Sequence, residues 1–173
     1  MPRHLLAQIL LGMGLVNVLL AFPTQVPAEN LRQAAPNFIL SDSKGTSVRL
    51  SDYKGKVVLL DFWATWCHGC KTEIPWYMEF QNKYKDKGLW VIGVSMDDDG
   101  WKSVKPFIEE NKMNYEVVIG NENLAKLYAV DALPVTLLID RAGNIAVSHA
   151  GMVDKAAFEN EIRELLQDGQ KRP

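Results

Sequence analysis

Among 173 residues there are two cysteines and three histidines, and that scarcity excludes several functions at once. A structural zinc site takes four ligands, usually as two pairs, and the sequence holds no second Cys or His pair. Attachment of a c-type haem needs a histidine directly after the second cysteine; here Lys71 follows Cys70. Charge is equally spare. The 19 Lys and Arg against 21 Asp and Glu leave a formal net of −2, with no basic block. That balance speaks against a nucleic-acid partner. No internal repeat or low-complexity tract is present. With 47% hydrophobic residues, the chain can build one domain with a real core.

The longest stretch without charge lies at the start. Met1-Pro2-Arg3-His4 is short and basic, and Leu5 to Phe22 holds only Gln8 and Asn17 as polar side chains. Val26-Pro27-Ala28 then supplies small residues for cleavage. This is the pattern of a secretory signal peptide over residues 1–28. An uncleaved membrane anchor is the alternative, although the run is slightly shorter than the roughly 20 residues of a spanning helix. Either reading makes the domain exported, periplasmic or otherwise extracytoplasmic. All 21 acidic residues lie from Glu29 onward.

Hydrophobic periodicity organises the remainder. Residues 29–36 read as a linker. Asn37–Leu40 and Ser47–Leu50 flank the turn-rich Ser41–Gly45 and predict a β-hairpin. Ser51–Lys56 is a short turn. Val57–Trp63 is a strand apolar on both faces, as covered parallel strands are. A helix follows Cys67 to about Lys85 and should be kinked by Pro75. A strand over Leu89–Ser95 precedes a helix carrying Trp101, Val104 and Ile108 on one face. Pro106 is best tolerated there in a first turn. A strand at Tyr115–Ile119 and a short helix at Asn121–Ala129 come next. Strands at Val135–Ile139 and Ile145–His149 then flank a turn, and a last helix starts near Asp154. The domain spans 37–168, with 169–173 a frayed tail. Alternating strands and helices define an α/β class, and the closing strand pair adds antiparallel members to the sheet.

The two cysteines stand in Trp66-Cys67-His68-Gly69-Cys70, between the buried strand and the helix. A strand that delivers a Cys-x-x-Cys to a helix start is a redox arrangement. A free thiol, with a pKa of about 8.5, is only a few per cent thiolate at neutral pH. Helix N–H groups and the macrodipole favour the anion at Cys67, the expected nucleophile. Cys70, one turn deeper, would resolve a mixed disulfide formed on Cys67. A purely structural staple is the bland reading, but closing so small a loop would stabilise the fold by only about 2 kcal/mol. His68, as a cation, would lower the thiolate pKa; a solvated loop histidine is its bland alternative. Asp61 interrupts the apolar strand. Buried, it should have a raised pKa and could take the Cys70 proton during resolution. Glu73 falls on the Cys70 face of the helix and could share that role; otherwise it is an exposed helix charge. A cis bond at Leu133-Pro134 would leave the Leu133 backbone free to pair with an extended peptide.

Asp61-Phe62-Trp63-Ala64-Thr65-Trp66-Cys67 with Cys70 resembles the active-site stretch of thioredoxins. Pro75 is similar to their helix proline, and Leu133-Pro134-Val135-Thr136 resembles their cis-proline loop. The resemblance covers nearly all of Ala35 to Leu166. It implies a thioredoxin fold: a central mixed sheet flanked by helices. The N-terminal hairpin, the phrase Leu50–Leu59, Glu73-Ile74-Pro75 and the helix-strand insert of Trp101–Ile119 are most similar to exported proteins of the TlpA/ResA type. Such a resemblance implies a thiol–disulfide oxidoreductase acting on protein disulfides, expected as a reductant, with cytochrome c maturation as one setting. It marks Trp66, Leu133 and Pro134 as client-binding. It implies no cofactor beyond the Cys67–Cys70 disulfide, a membrane-bound or exported thiol-reducing protein as electron donor, and a monomer. Two departures bear on potential and direction. His68-Gly69 replaces the Gly-Pro of thioredoxins, and Gly93 falls where they carry a lysine near the buried acid. Two other functions compete. A peroxiredoxin shares the hairpin and the Leu-Ser-Asp phrase. Its pocket wants threonine three residues and proline seven residues before the cysteine, where Ala64 and Leu60 stand here. A copper or zinc module would use Cys67 and Cys70 with His68 or His149.

Overall fold

A computed structural model describes residues 32–168. The expected signal or anchor segment and the tail lie outside the described residues. In chain order the elements are a hairpin of β1 (Ile39–Ser41) and β2 (Ser47–Arg49), then β3 (Val57–Trp63), α1 (His68–Tyr84), β4 (Leu89–Ser95) and α2 (Trp101–Asn111). They continue with β5 (Glu116–Ile119), α3 (Glu122–Leu127), β6 (Val135–Ile139), β7 (Ile145–Ala150) and α4 (Lys155–Asp168). The main sheet has the order β5-β4-β3-β6-β7. β3, β4 and β5 run parallel, and β6 and β7 are antiparallel to their neighbours. This is the expected α/β class with its antiparallel members.

Strand alternation explains the two sides of the sheet. Val58, Leu60 and Phe62 of β3 pack with Phe38, Val48, Leu124 and Tyr128, under the hairpin and α3. Val57 and Leu59 face the other way, onto Tyr77 and Phe80 of α1 and Phe158 and Ile162 of α4. Trp63 joins that second face with Val104 of α2 and both cysteines. Asp61 has the same parity and is therefore directed at α1.

Turns and caps follow local chemistry. Asp42 Oδ1 accepts from Lys44 N (2.9 Å) and Thr46 N (2.7 Å), which closes the hairpin. Residues 50–53, expected within strand and turn, form a 3-10 turn. Pro106 lies inside α2 rather than in its first turn, because the helix already starts at Trp101, after Gly100 at φ 57°. It leaves the Lys102 carbonyl without its helical donor. Pro75 lies inside α1 without ending it. The described part of the expected linker is hydrogen-bonded to the β6–β7 turn, through Ile145 N to Gln33 O (2.8 Å) and Ala35 N to Gly143 O (2.9 Å). Among the described residues no helix is long and apolar enough to cross a membrane.

Candidate active site

β3 ends at Trp63, and the chain reaches α1 through Ala64, Thr65 and Trp66. That connection is held from the side. Asp97, 6% exposed, accepts from Thr65 N (2.9 Å), from the Thr65 hydroxyl and from Ser95 Oγ (2.8 Å). Cys67 N donates to Ala64 O at 3.0 Å. Cys67 is then the N-cap of α1, and its sulfur accepts from Cys70 N at 3.2 Å. The helix N-terminus thus directs a donor at this sulfur, the condition that favours a thiolate. The two cysteines form a disulfide with Cα atoms 5.4 Å apart. Cys67 is 6% exposed and Cys70 1%, so an incoming sulfur reaches Cys67 first.

The surroundings of the disulfide come from three directions. Trp66 projects into solvent, 67% exposed. The Leu133–Pro134 bond is cis. Gly69 faces Pro134 and Met152. A Cβ on it would stand 3.0 Å from Met152 Cγ and 3.4 Å from Pro134 Cδ. Met152 is itself 58% exposed and was invisible in the sequence, where no periodic pattern or motif includes it. His68 is exposed at the first position of α1; its carbonyl accepts from Thr72 Oγ1 at 3.5 Å.

Beneath the disulfide lie two carboxyl groups. Asp61 is fully buried and pairs in register with Gly93 on β4 and Thr136 on β6. Thr136 Oγ1 donates to its Oδ1 at 3.5 Å and lies 3.0 Å from the Tyr77 hydroxyl. Burial, reinforced by Glu73, pushes the Asp61 pKa well above the ordinary carboxyl range, with Thr136 opposing. Glu73 is also fully buried, so the exposed-charge alternative is wrong. The reason is tertiary: the chain after β7 folds over it, and Val153 N donates to Glu73 Oε1 at 2.7 Å. Burial raises its pKa, and the Val153 N–H draws it back.

The remaining candidates stand apart. His149 lies on β7 with its Nε2 2.9 Å from Glu161 Oε2. Among the described residues no group of three or more His, Cys, Asp or Glu side chains is gathered in a metal-holding arrangement. Ala64, three residues before Cys67, offers its carbonyl to Cys67 N but no hydroxyl to a peroxide.

A mixed sheet whose central strand carries a dithiol to the N-terminus of a helix, beside a cis-proline loop, defines a thioredoxin-fold thiol–disulfide oxidoreductase. The chain belongs to the AhpC/TSA family, whose model matches residues 31–148. It is 36% identical over 133 residues to thiol-disulfide oxidoreductase ResA of Bacillus thuringiensis subsp. konkukian (strain 97-27), covering 76% of each chain. ResA of Geobacillus kaustophilus is 34% identical over 145 residues, with 83% of each chain covered. Among solved structures, a candidate thiol:disulfide interchange protein DsbE from Chlorobium tepidum is 36% identical. Its TM-score is 0.74, with 78% of this chain and 96% of that chain covered. A Bacteroides thiol:disulfide interchange protein is 31% identical with a TM-score of 0.69, covering 79% of this chain and 90% of that one.

Proposed function

We propose that this protein is an exported thiol–disulfide oxidoreductase that reduces protein disulfides, with Cys67 attacking and Cys70 resolving. The observation that carries the assignment is the Cys67 sulfur at the α1 N-cap, accepting from Cys70 N, with Cys70 more deeply buried. In the reduced enzyme the Cys67 thiolate attacks one sulfur of a client disulfide. The client disulfide breaks, its second sulfur leaves as a thiolate, and a Cys67–client mixed disulfide forms. Cys70 then gives up its proton and attacks Cys67. The Cys67–Cys70 disulfide forms and the client leaves as a dithiol, reduced by two electrons. A thiol-reducing membrane or exported protein returns the two electrons. Asp61 and Glu73, buried with raised proton affinity, are the proton acceptors for Cys70. Trp66, Leu133 and Pro134 border Cys67 and bind the client; His68 and Gly69 tune the potential. The protein acts as a monomer and needs no cofactor.

Cytochrome c maturation is the setting we infer, with the cysteines of apocytochromes as clients; the ResA and DsbE relatives support it. The apolar segment 5–22 supports export. Trapping tests the reading. Cys70→Ser, expressed in the native host, should accumulate mixed disulfides on Cys67, and an apocytochrome among them is the expected client. A broad spectrum of exported proteins without apocytochromes would argue for a general oxidoreductase. An adduct-free Cys70→Ser would defeat the Cys67-attack mechanism.

A further inference from the structure

Five buried side-chain polar atoms find no hydrogen-bond partner among the described residues, and four of them lie on the α1 side of the sheet. They are Asp61 Oδ2, Glu73 Oε2, Trp63 Nε1 and the Tyr115 hydroxyl. Asp61 and Trp63 point to the α1 side of β3, Glu73 descends from α1, and Tyr115 enters from the residue before β5. Tyr115 packs into both apolar clusters of that face. The set is complementary: an indole N–H and a phenol O–H against two carboxyl oxygens. Buried polar groups are overwhelmingly paired, directly or through an internal water.

Gly93 explains why Tyr115 can be there. It is the register partner of Asp61. A Cβ at Gly93 would stand 2.9 Å from Trp63 Nε1 and 3.1 Å from Tyr115 Cε2. The room a side chain at 93 would take beside Asp61 is filled by the indole and the phenol. We propose that Tyr115 is a positioning residue for the exchange reaction: through an internal water it shares with Trp63, it supplies the Asp61 carboxylate with an uncharged hydrogen-bond donor, in place of any side chain at 93. This rests on Asp61 as acceptor of the Cys70 proton. Tyr115 does not compete as the base, because burial and the Asp61 charge push its phenol well above the ordinary range. The other polar groups that act on Asp61 are Thr136 from β6 and Glu73 and Tyr77 from α1. His149, beyond Thr136 on β7, is engaged with Glu161. A neutral donor stabilises a carboxylate less than a cation does, so Asp61 keeps the high proton affinity that resolution needs.

Tyr115→Phe removes only the oxygen and tests this. The carboxyl carbon of Asp61 is titrated by 13C NMR. In parallel, the pH–rate profile is measured for Cys70 displacing an aromatic thiol from a mixed disulfide on Cys67. Loss of one donor to a buried carboxylate should move both midpoints up by about one pH unit. An unmoved Asp61 midpoint overturns the proposal. A moved Asp61 with an unmoved rate profile also overturns it, since Tyr115 then has no part in exchange. Asp61→Asn separates this from the underlying reading. If it leaves the profile intact, the proton-acceptor role of Asp61 itself fails. If it abolishes the profile while Tyr115→Phe changes nothing, only the Tyr115 role fails.

Discussion

A carboxyl group on a strand buried at every position is held against its own ionisation. In the unfolded chain Asp61 loses its proton near pH 3.9; in the folded protein burial defers that loss to much higher pH. Below both values the acid is protonated in each state and costs nothing. As pH rises from about 4 toward the folded pKa, the unfolded state releases its proton first. Stability then falls by up to about 1.4 kcal/mol for each pH unit between the two pKa values. Glu73 acts in the same direction. Asp61→Asn should therefore melt at higher temperature than the natural protein at pH 8, by about 4 °C per kcal/mol recovered. The gain should vanish near pH 4, and thermal melts across that range check it. At His68, His68→Ala should make the couple more reducing by about 10–30 mV, at most the 30 mV that corresponds to roughly 1.4 kcal/mol. Equilibration with glutathione reads it, and an unchanged potential removes His68 from the tuning set. At this scale the sequence was unevenly legible. An acid inside Val57–Trp63 announces burial through its neighbours. Glu73 did not, because its cover is Val153, 80 residues away. Tyr115 carried no signal, since its packing beside Asp61 depends on an absent side chain at Gly93.

At the scale of elements, the start of α1 performs two tasks with one side chain. Cys67 caps the helix by accepting Cys70 N and is the more accessible of the two cysteines. Serine is a good N-cap and alanine a poor one. In reduced protein, Cys67→Ser should therefore be more stable than Cys67→Ala by about 1 kcal/mol in urea melts, although both abolish exchange. Equal midpoints would mean that the cap contributes nothing. The boundaries of α1 and of strands β3, β4 and β6 were readable from period and caps, because local pattern and tertiary need agree there. Pro106 was misplaced because a proline is easiest to accommodate in a first turn, whereas Gly100 sets the α2 start at Trp101, more than a turn before the proline. Met152 escaped because its role is an encounter between the post-β7 loop and Gly69. Gly69→Ala forces Met152 to give way by a few tenths of an ångström. It should weaken client capture, raising KM more than it lowers kcat in an insulin-type disulfide reduction assay, and Met152→Ala should restore it.

Across the molecule, reactivity and anchorage sit at opposite ends of the sheet. β3 and β4 end at Trp63 and Ser95, next to the disulfide and the Asp97 brace. At their other ends Arg141 draws three segments together. Its guanidinium donates to Gly55 O (2.6 Å), Lys87 O (3.1 Å) and Leu166 O (3.4 Å), joining the entry to β3, the entry to β4 and the last turns of α4. Gly88, at φ 99°, leaves room for it: a Cβ there would meet Arg141 Nη1 at 2.9 Å. A hydrogen bond from a charged group contributes about 1.5–3 kcal/mol, and removal of one donor to several carbonyls leaves them to water at partial cost. Arg141→Ala should lower stability by about 2 kcal/mol. It touches nothing near Cys67, so the Cys67–Cys70 potential and the pH–rate profile of resolution should stay where they are. Denaturant melts and redox equilibration on the same variant separate the two ends. A potential that moved with Arg141 would mean that strain crosses the sheet from its base to the dithiol.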